Sequence, residues 1–186
     1  MPDTRPRLTA EDWIKAGFWA LSTTGPDSLK AEALARTLGA TKGSFYWHFK
    51  DVPDFKAKML GHWHHKAFDA VARSVDASGD PTERLYRLAE LATAEPEGYG
   101  GAAVEPAIRT WGTSDPLVAS AVAEVDAKRL TYLAGLLAEL GLTNPDFSRI
   151  VYGAYVGMNT LSAADGTDNS GAMSTLMAAI LALQEA

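Results

Sequence analysis

Apolar residues recur along almost the whole chain at steps of three and four. Ile14, Phe18 and Leu21 fall at i, i+4 and i+7, the spacing that lines one face of an α-helix. Leu8-Thr9-Ala10-Glu11-Asp12-Trp13 precedes them. Thr9 suits the N-cap, Asp12 can return the cap's bond, and Leu8 with Trp13 can form a hydrophobic staple. This first helix is expected to run to about Ser22, before Thr24-Gly25-Pro26-Asp27 stops it. A second helix carries Leu34, Ala35 and Leu38 and ends at Gly39, the residue type best suited to the left-handed conformation after a helix. Thr41 can cap a third, with Phe45 and Phe49 on its buried face and Thr41, Lys42, Ser44, Trp47 and His48 on or near the other. In Asp51-Val52-Pro53-Asp54 a capping Asp51, a first-turn Pro53 and an acidic Asp54 open a fourth helix. The pattern carries it to about Ala77.

Helical periodicity continues from there, broken at Ser78-Gly79-Asp80-Pro81, 95–101, Gly112-Thr113-Ser114-Asp115-Pro116, Gly141-Leu142-Thr143-Asn144-Pro145 and Asp165-Gly166-Thr167-Asp168. No alternating strand pattern competes with it. The expected fold is all-α with about nine helices. A three-helix head over residues 1–52 is followed by a helical body over residues 53–186, and the long fourth helix bridges the two.

Hydrophobic residues make up 47% of the chain and charged ones 22%, the balance of a globular protein rather than a disordered or membrane chain. No apolar run approaches the roughly 20 residues that span a bilayer, and the opening MPDTRPRLTAED lacks the apolar stretch of a signal peptide. A cytoplasmic protein without membrane contact is expected. The absence of cysteine excludes disulfides, thiolate metal sites and thiol catalysis. The net charge of −6 divides unevenly: residues 1–58 carry +2 and the remainder −8. Such polarity fits a head that meets a polyanion and a body that does not.

The densest chemistry lies in Thr41–Asp51, TKGSFYWHFKD. A short helix, a tight turn containing glycine and a second helix with a polar exposed face form a helix-turn-helix unit. Its second helix can enter a major groove, where Lys, Ser and Thr reach base edges while aromatic hydroxyls and His reach phosphates. Gly43 inside that helix costs about 1 kcal/mol against alanine, which points to close approach by something outside the chain.

Leu34-Ala35 with Leu38-Gly39-Ala40-Thr41-Lys42-Gly43-Ser44-Phe45-Tyr46-Trp47-His48-Phe49-Lys50 resembles the recognition segment of the tetracycline-repressor-like (TetR) family of transcriptional regulators. The resemblance covers residues 8 to 60, and the body is similar only in its pattern, including Trp111-Gly112, Asp115-Pro116 and Asp126-x-x-Arg129. It implies a homodimeric repressor on near-palindromic double-stranded operator DNA, released by a small-molecule effector bound in the body. By the same resemblance Thr41, Lys42, Ser44 and Trp47 face the groove, Gly43 is a close-approach position, and Tyr46, His48 and Lys50 meet phosphates. Where family members usually have a Ser/Thr cap and an Arg two positions later, this chain has Lys30 and Glu32. Ser28 is then the expected cap of the second helix and Lys30 the source of charge. Val52 stands at a frequent Lys. Glu32 and Val52 motivate a second reading, a helical ligand-sensing or scaffold protein without DNA binding.

For the effector, expected to be largely apolar, the candidate residues are Trp63, Phe68, Trp111, Tyr132, Tyr152, Tyr155, Met158 and Asn159, which can serve a sparsely polar cavity or plain helical core. The Pro96–Gly101 loop is a candidate entrance. His62 and His65 share a helix face near His64, yet no cysteine or helical carboxylate joins them, so neither a metal nor a cofactor is expected. Glu105, Asp115, Glu124 and Asp126 lack the surroundings of any catalytic motif, and no enzyme is expected. Dimerisation is assigned to the last two helices, about 146–164 and 170–185. There Gly153 and Gly157 permit close approach, and Met173, Leu176, Met177, Ile180 and Leu181 form an apolar stripe.

Overall fold

The computed structural model describes residues 8–93, Tyr99 and residues 101–183. Nine helices make up the architecture among the described residues, and there is no strand. The head holds α1 (Ala10–Thr24), α2 (Ala31–Thr37) and α3 (Lys42–Tyr46). The fourth helix, α4, runs without a break through Val52–His64, a π-helical turn His65–Asp69 and Ala70–Asp76. The body adds α5 (Pro81–Thr93), α6 (Val104–Gly112), α7 (Pro116–Glu139), α8 (Pro145–Asp165) and α9 (Ser170–Ala182). The Pro96–Gly101 entrance expected from the sequence lies, apart from Tyr99 and Gly101, outside the described residues.

The head forms where its caps place it. The Thr9 hydroxyl accepts from the Asp12 N–H at 3.3 Å while Asp12 Oδ2 accepts from the Thr9 N–H at 2.7 Å, a complete capping box. Gly39 sits at φ 61°, so the chain reverses between α2 and α3 without strain. Thr41 Oγ1 accepts from the Ser44 N–H at 3.2 Å, and Asp51 Oδ1 accepts from the Asp54 N–H at 2.8 Å. Helix α2 departs from expectation. Its cap position is Lys30, which makes no side-chain cap, and the Ser28 hydroxyl instead donates to the Gly25 carbonyl at 2.6 Å inside a 3-10 turn. Ser28 lies two residues before the cap position because the Pro26–Ser28 segment consumes the residues that would have led into α2.

Trp13, Phe45, Phe49 and Phe55 pack as a ring cluster, with centroids 5.0–5.4 Å apart. Such aromatic pairs contribute about 0.5–1.5 kcal/mol each beyond their area. Helices α1 and α4 touch so closely at Gly17 that a Cβ there would lie 2.6 Å from the Phe55 ring. This cluster continues past residue 52 through Met59 and Trp63 to Ile108, Trp111, Val118 and Val125. One apolar core therefore joins the head to α6 and α7. A second core, built on Leu85, Leu133, Leu137, Val151, Met173, Met177 and Ile180, fills the far end of the body.

Within α4 the inward residues are Phe55, Met59 and Trp63, then Phe68, Ala72 and Val75. The step from Trp63 to Phe68 is five residues, one π turn.

Candidate nucleic-acid interface and ligand cavity

The exposed face of α3 carries the residues expected there. Tyr46 is 47% and Trp47 80% exposed, although both are large and aromatic. Thr41, Lys42, Gly43 and Lys50 are exposed, and Ser44 and His48 half-buried. Lys30 is exposed at the start of α2. A Cβ at Gly43 would meet nothing nearer than Thr41 Oγ1 at 3.7 Å, so the chain's own packing does not require glycine there. Phe45 and Phe49 are buried beneath, as expected. The helix proper is short, with Trp47 and His48 in the turn that follows it.

Glu32, across from α3 on α2, forms an ion pair with Lys42. The hydrogen bond and charge of Lys42 hold the Glu32 carboxyl below its usual pKa, and Glu32 raises the Lys42 ammonium in return. Both are exposed, so each keeps most of its water. The carboxylate thus turns inward onto a neighbouring cation rather than standing alone on the face.

In the body, the face of α4 beyond Trp63 borders a cavity of about 370 Å³. Trp63, Phe68, Tyr132, Tyr152, Tyr155 and Asn159 line it. Trp111 and Met158 do not. Trp111 is buried in the head-side core under the Lys56 ammonium, 5.2 Å from its ring, while Met158 packs against the far core. Sequence periodicity could not separate these cases, because wall and core share the same apolar spacing. It also assigned Met173 and Met177 to a dimer stripe, whereas both are buried within the chain and touch the cavity. The surface left uncovered on the last two helices keeps Gly153 and Gly157 of that assignment and adds Ile150 and Leu161 on α8, with Leu183 beyond α9. A Cβ at Gly153 or Gly157 would meet nothing within 4 Å.

One end of the cavity is polar. Glu105 accepts from Arg129 Nη1 at 2.6 Å and Nη2 at 3.0 Å, from Arg109 Nη2 at 2.9 Å, and from the Tyr155 hydroxyl at 3.1 Å. Arg109 also donates twice to Asp126, at 3.0 and 2.7 Å, and Asp126 accepts from the Tyr152 hydroxyl at 2.6 Å. Burial opposes ionisation of Glu105, but the two guanidiniums outweigh it and hold its pKa below the usual value. Burial and the bond to Asp126 push Tyr152 up to about 12 despite the guanidiniums. Arg129 donates in addition to the Ala67 carbonyl, at 3.2 Å from Nε and 3.1 Å from Nη2, inside the π turn of α4. The network ties α6, α7 and α8 to α4. The sequence pattern did not reveal this network, although the i,i+4 spacing of Glu105 and Arg109 carries a signal for one of its pairs.

The histidines diverge. His62 stacks on Tyr99 at 4.8 Å, His64 Nε2 lies 2.9 Å from Lys128 Nζ and 3.4 Å from Glu124, and His65 Nε2 lies 3.0 Å from Arg73.

A glycine-turned pair of short helices with an exposed recognition face, set on a helical body that encloses a cavity, defines a helix-turn-helix DNA-binding regulator. Residues 14–51 match the family model described as "Bacterial regulatory proteins, tetR family". The family match thus covers the head, and the fold of the whole chain is similar to those of solved transcriptional regulators. A transcriptional regulator from Rhodococcus sp. Rha1 is similar at TM-score 0.77, with 18% identity over 94% of this chain and 96% of that one. The fatty acid degradation regulator FadR from Bacillus halodurans is similar at TM-score 0.71, with 16% identity over 93% and 98%. A protein from Saccharomonospora viridis, described as a transcriptional regulator and solved with choline, is similar at 0.73, with 15% identity over 95% of each chain. No curated protein matches in sequence. No helix among the described residues is long and apolar enough to cross a membrane.

Proposed function

We propose that the protein is a cytoplasmic, homodimeric repressor that leaves a near-palindromic operator when a small molecule occupies its body. The observation that carries this reading is α4 itself. Its first half is packed into the recognition unit at Phe55 and Met59, and its second half forms a wall of the cavity at Phe68 and Ala72. A ligand that prefers one setting of α4 changes the separation of two heads, which must span about 34–36 Å between successive major grooves. Ligand and DNA then weaken each other by the same factor. The choline complex supports the idea that a body of this shape can hold a small molecule.

The recognition contacts follow the exposed face: Lys42, Ser44 and Trp47 toward bases, with Thr41 at the start of α3 and Gly43 allowing close approach. Lys30, Tyr46, His48 and Lys50 take phosphates. The dimer forms through α8 and α9, with Ile150, Gly153, Gly157 and Leu161 on the shared face. The residues 1–52 and 53–186 then act as reader and sensor, joined by α4.

The test is fluorescence anisotropy with DNA from upstream of the protein's own gene at several salt concentrations, beside a Lys42→Ala/Tyr46→Ala variant. Tight binding with a steep salt slope, weakened and flattened in the variant, is expected. A folded dimer that binds no genomic fragment would favour a helical sensor without DNA binding.

A further inference from the structure

The polar end of the cavity has no charge to spare. Both oxygens of Glu105 already accept two bonds each, and Arg129 divides its donors among Glu105, Tyr152 and the Ala67 carbonyl. Both terminal nitrogens of Arg109 are taken up by Glu105, Asp126 and Tyr152, and its one unpartnered nitrogen, Nε, belongs to a residue that does not line the cavity. Two guanidiniums and two carboxylates cancel within this network. An anionic ligand would have to draw Arg129 away from Glu105, and a cationic one would have to draw Glu105 away from Arg129. The first leaves buried Glu105 with one guanidinium in place of two, and the second leaves buried Arg129 without its carboxylate. Lys66 also borders the cavity but is exposed, with its ammonium 5.7 Å over the Tyr99 ring, so its charge stays in water at the rim.

What the wall does offer is an amide. Asn159 lines the cavity one turn beyond Tyr155, and its carboxamide brings two donors and an acceptor. The rest of the wall is apolar, from Phe68 and Leu85 to Met173 and Met177. At about 30 Å³ for each water-sized group, a cavity of about 370 Å³ holds on the order of a dozen non-hydrogen atoms.

We propose that the ligand is an uncharged, largely apolar molecule of about that size, fixed through one hydroxyl, carbonyl or amide group at Asn159. This rests on the reading of the cavity as the effector site, and it narrows that site to neutral chemistry.

Four ten-carbon probes test it by isothermal titration of the full-length protein: 1-decanol, decanamide, decanoate and decylammonium. The neutral pair is expected to bind at least about 100-fold tighter than either ion, the factor for stranding a buried charge. Asn159→Leu is expected to weaken decanamide about fivefold to tenfold with an unchanged thermal midpoint. Decanoate or decylammonium binding within tenfold of the neutral pair would overturn the proposal, as would failure of all four to bind below about millimolar. Operator affinity is read alongside. Neutral probes that bind without releasing DNA leave the assignment standing and refute the effector role. Release by a charged probe alone refutes the assignment and keeps the effector role.

Discussion

Replacing Glu32 by Gln should strengthen DNA binding and make it more sensitive to salt. In the free protein the Lys42 ammonium is already held by Glu32 at the surface of the head, so a DNA groove that recruits Lys42 must share it. Glu32→Gln keeps the size and polarity of the side chain and removes its charge. One more cation per head, hence two per dimer, then enters the groove unpaired, where it offsets phosphate charge and displaces counterions even from a base edge. At about 0.9 counterions released per phosphate, the log–log salt slope steepens by about 1.8. Between about 50 and 200 mM salt, the ratio of variant to wild-type affinity should therefore fall by about 12-fold. Fluorescence anisotropy on one operator fragment across that range reads the slope directly. Parallel salt slopes for the two proteins would refute the reasoning, because they would mean that Lys42 contributes no additional phosphate neutralisation. Weaker binding by the variant at low salt would refute it more sharply and would make Glu32 a base contact, since a carboxylate can accept from cytosine N4.

Three other outcomes are expected. Gly157→Leu should leave the monomer folded, since a Cβ there meets nothing within 4 Å, yet it should shift the dimer towards monomer in sedimentation at micromolar concentration; an unchanged dimer moves the interface elsewhere. Arg129→Met removes one of the two guanidiniums paired with the buried Glu105 carboxylate and should cost about 3 kcal/mol, lowering the thermal midpoint by roughly 6–12 °C. Adding Glu105→Gln should recover more than half, and a double variant no more stable than the single contradicts the network. Burial, then the nearby Lys66 charge, hold the His62 pKa below its ordinary 6.5. The unfolded chain therefore takes its proton first, so stability is complete above about pH 6.5 and declines as pH falls towards the folded pKa. His62→Phe should flatten that decline in thermal melts; identical pH profiles would remove His62 from the account.

Much of the head was legible because its signals are local. The Thr9–Asp12 box, the Gly39 reversal and the Thr41 and Asp51 caps each depend on residues within four positions. The exposed aromatics Tyr46 and Trp47 stood out for the same reason. The body was less legible because its functional distinctions are tertiary. Trp111 and Tyr155 carry the same sequence signal, yet one is sealed in the core and the other borders the cavity. Met173 and Met177 form a proper helical stripe, and nothing local states whether a second subunit or α5 covers it. The Glu32–Lys42 pair joins residues ten apart on different helices, so a charge that looked misplaced in the sequence proved to be partnered in space.

The π turn at His65–Asp69 also bears on how this chain should be aligned with its relatives. Its five-residue step from Trp63 to Phe68 holds one residue more than an α-helical turn allows. A relative whose fourth helix is uninterrupted matches both halves of this one only if a one-residue gap is opened inside a helix, where alignments penalise gaps most. Without that gap, every position beyond the turn is paired with a neighbour rotated by about 100°. Cavity residues such as Phe68 and Ala72 would then be compared with their relatives' solvent-facing positions. Ancestry inferred from such columns would be wrong for the half of the helix that borders the cavity, while the head aligned correctly.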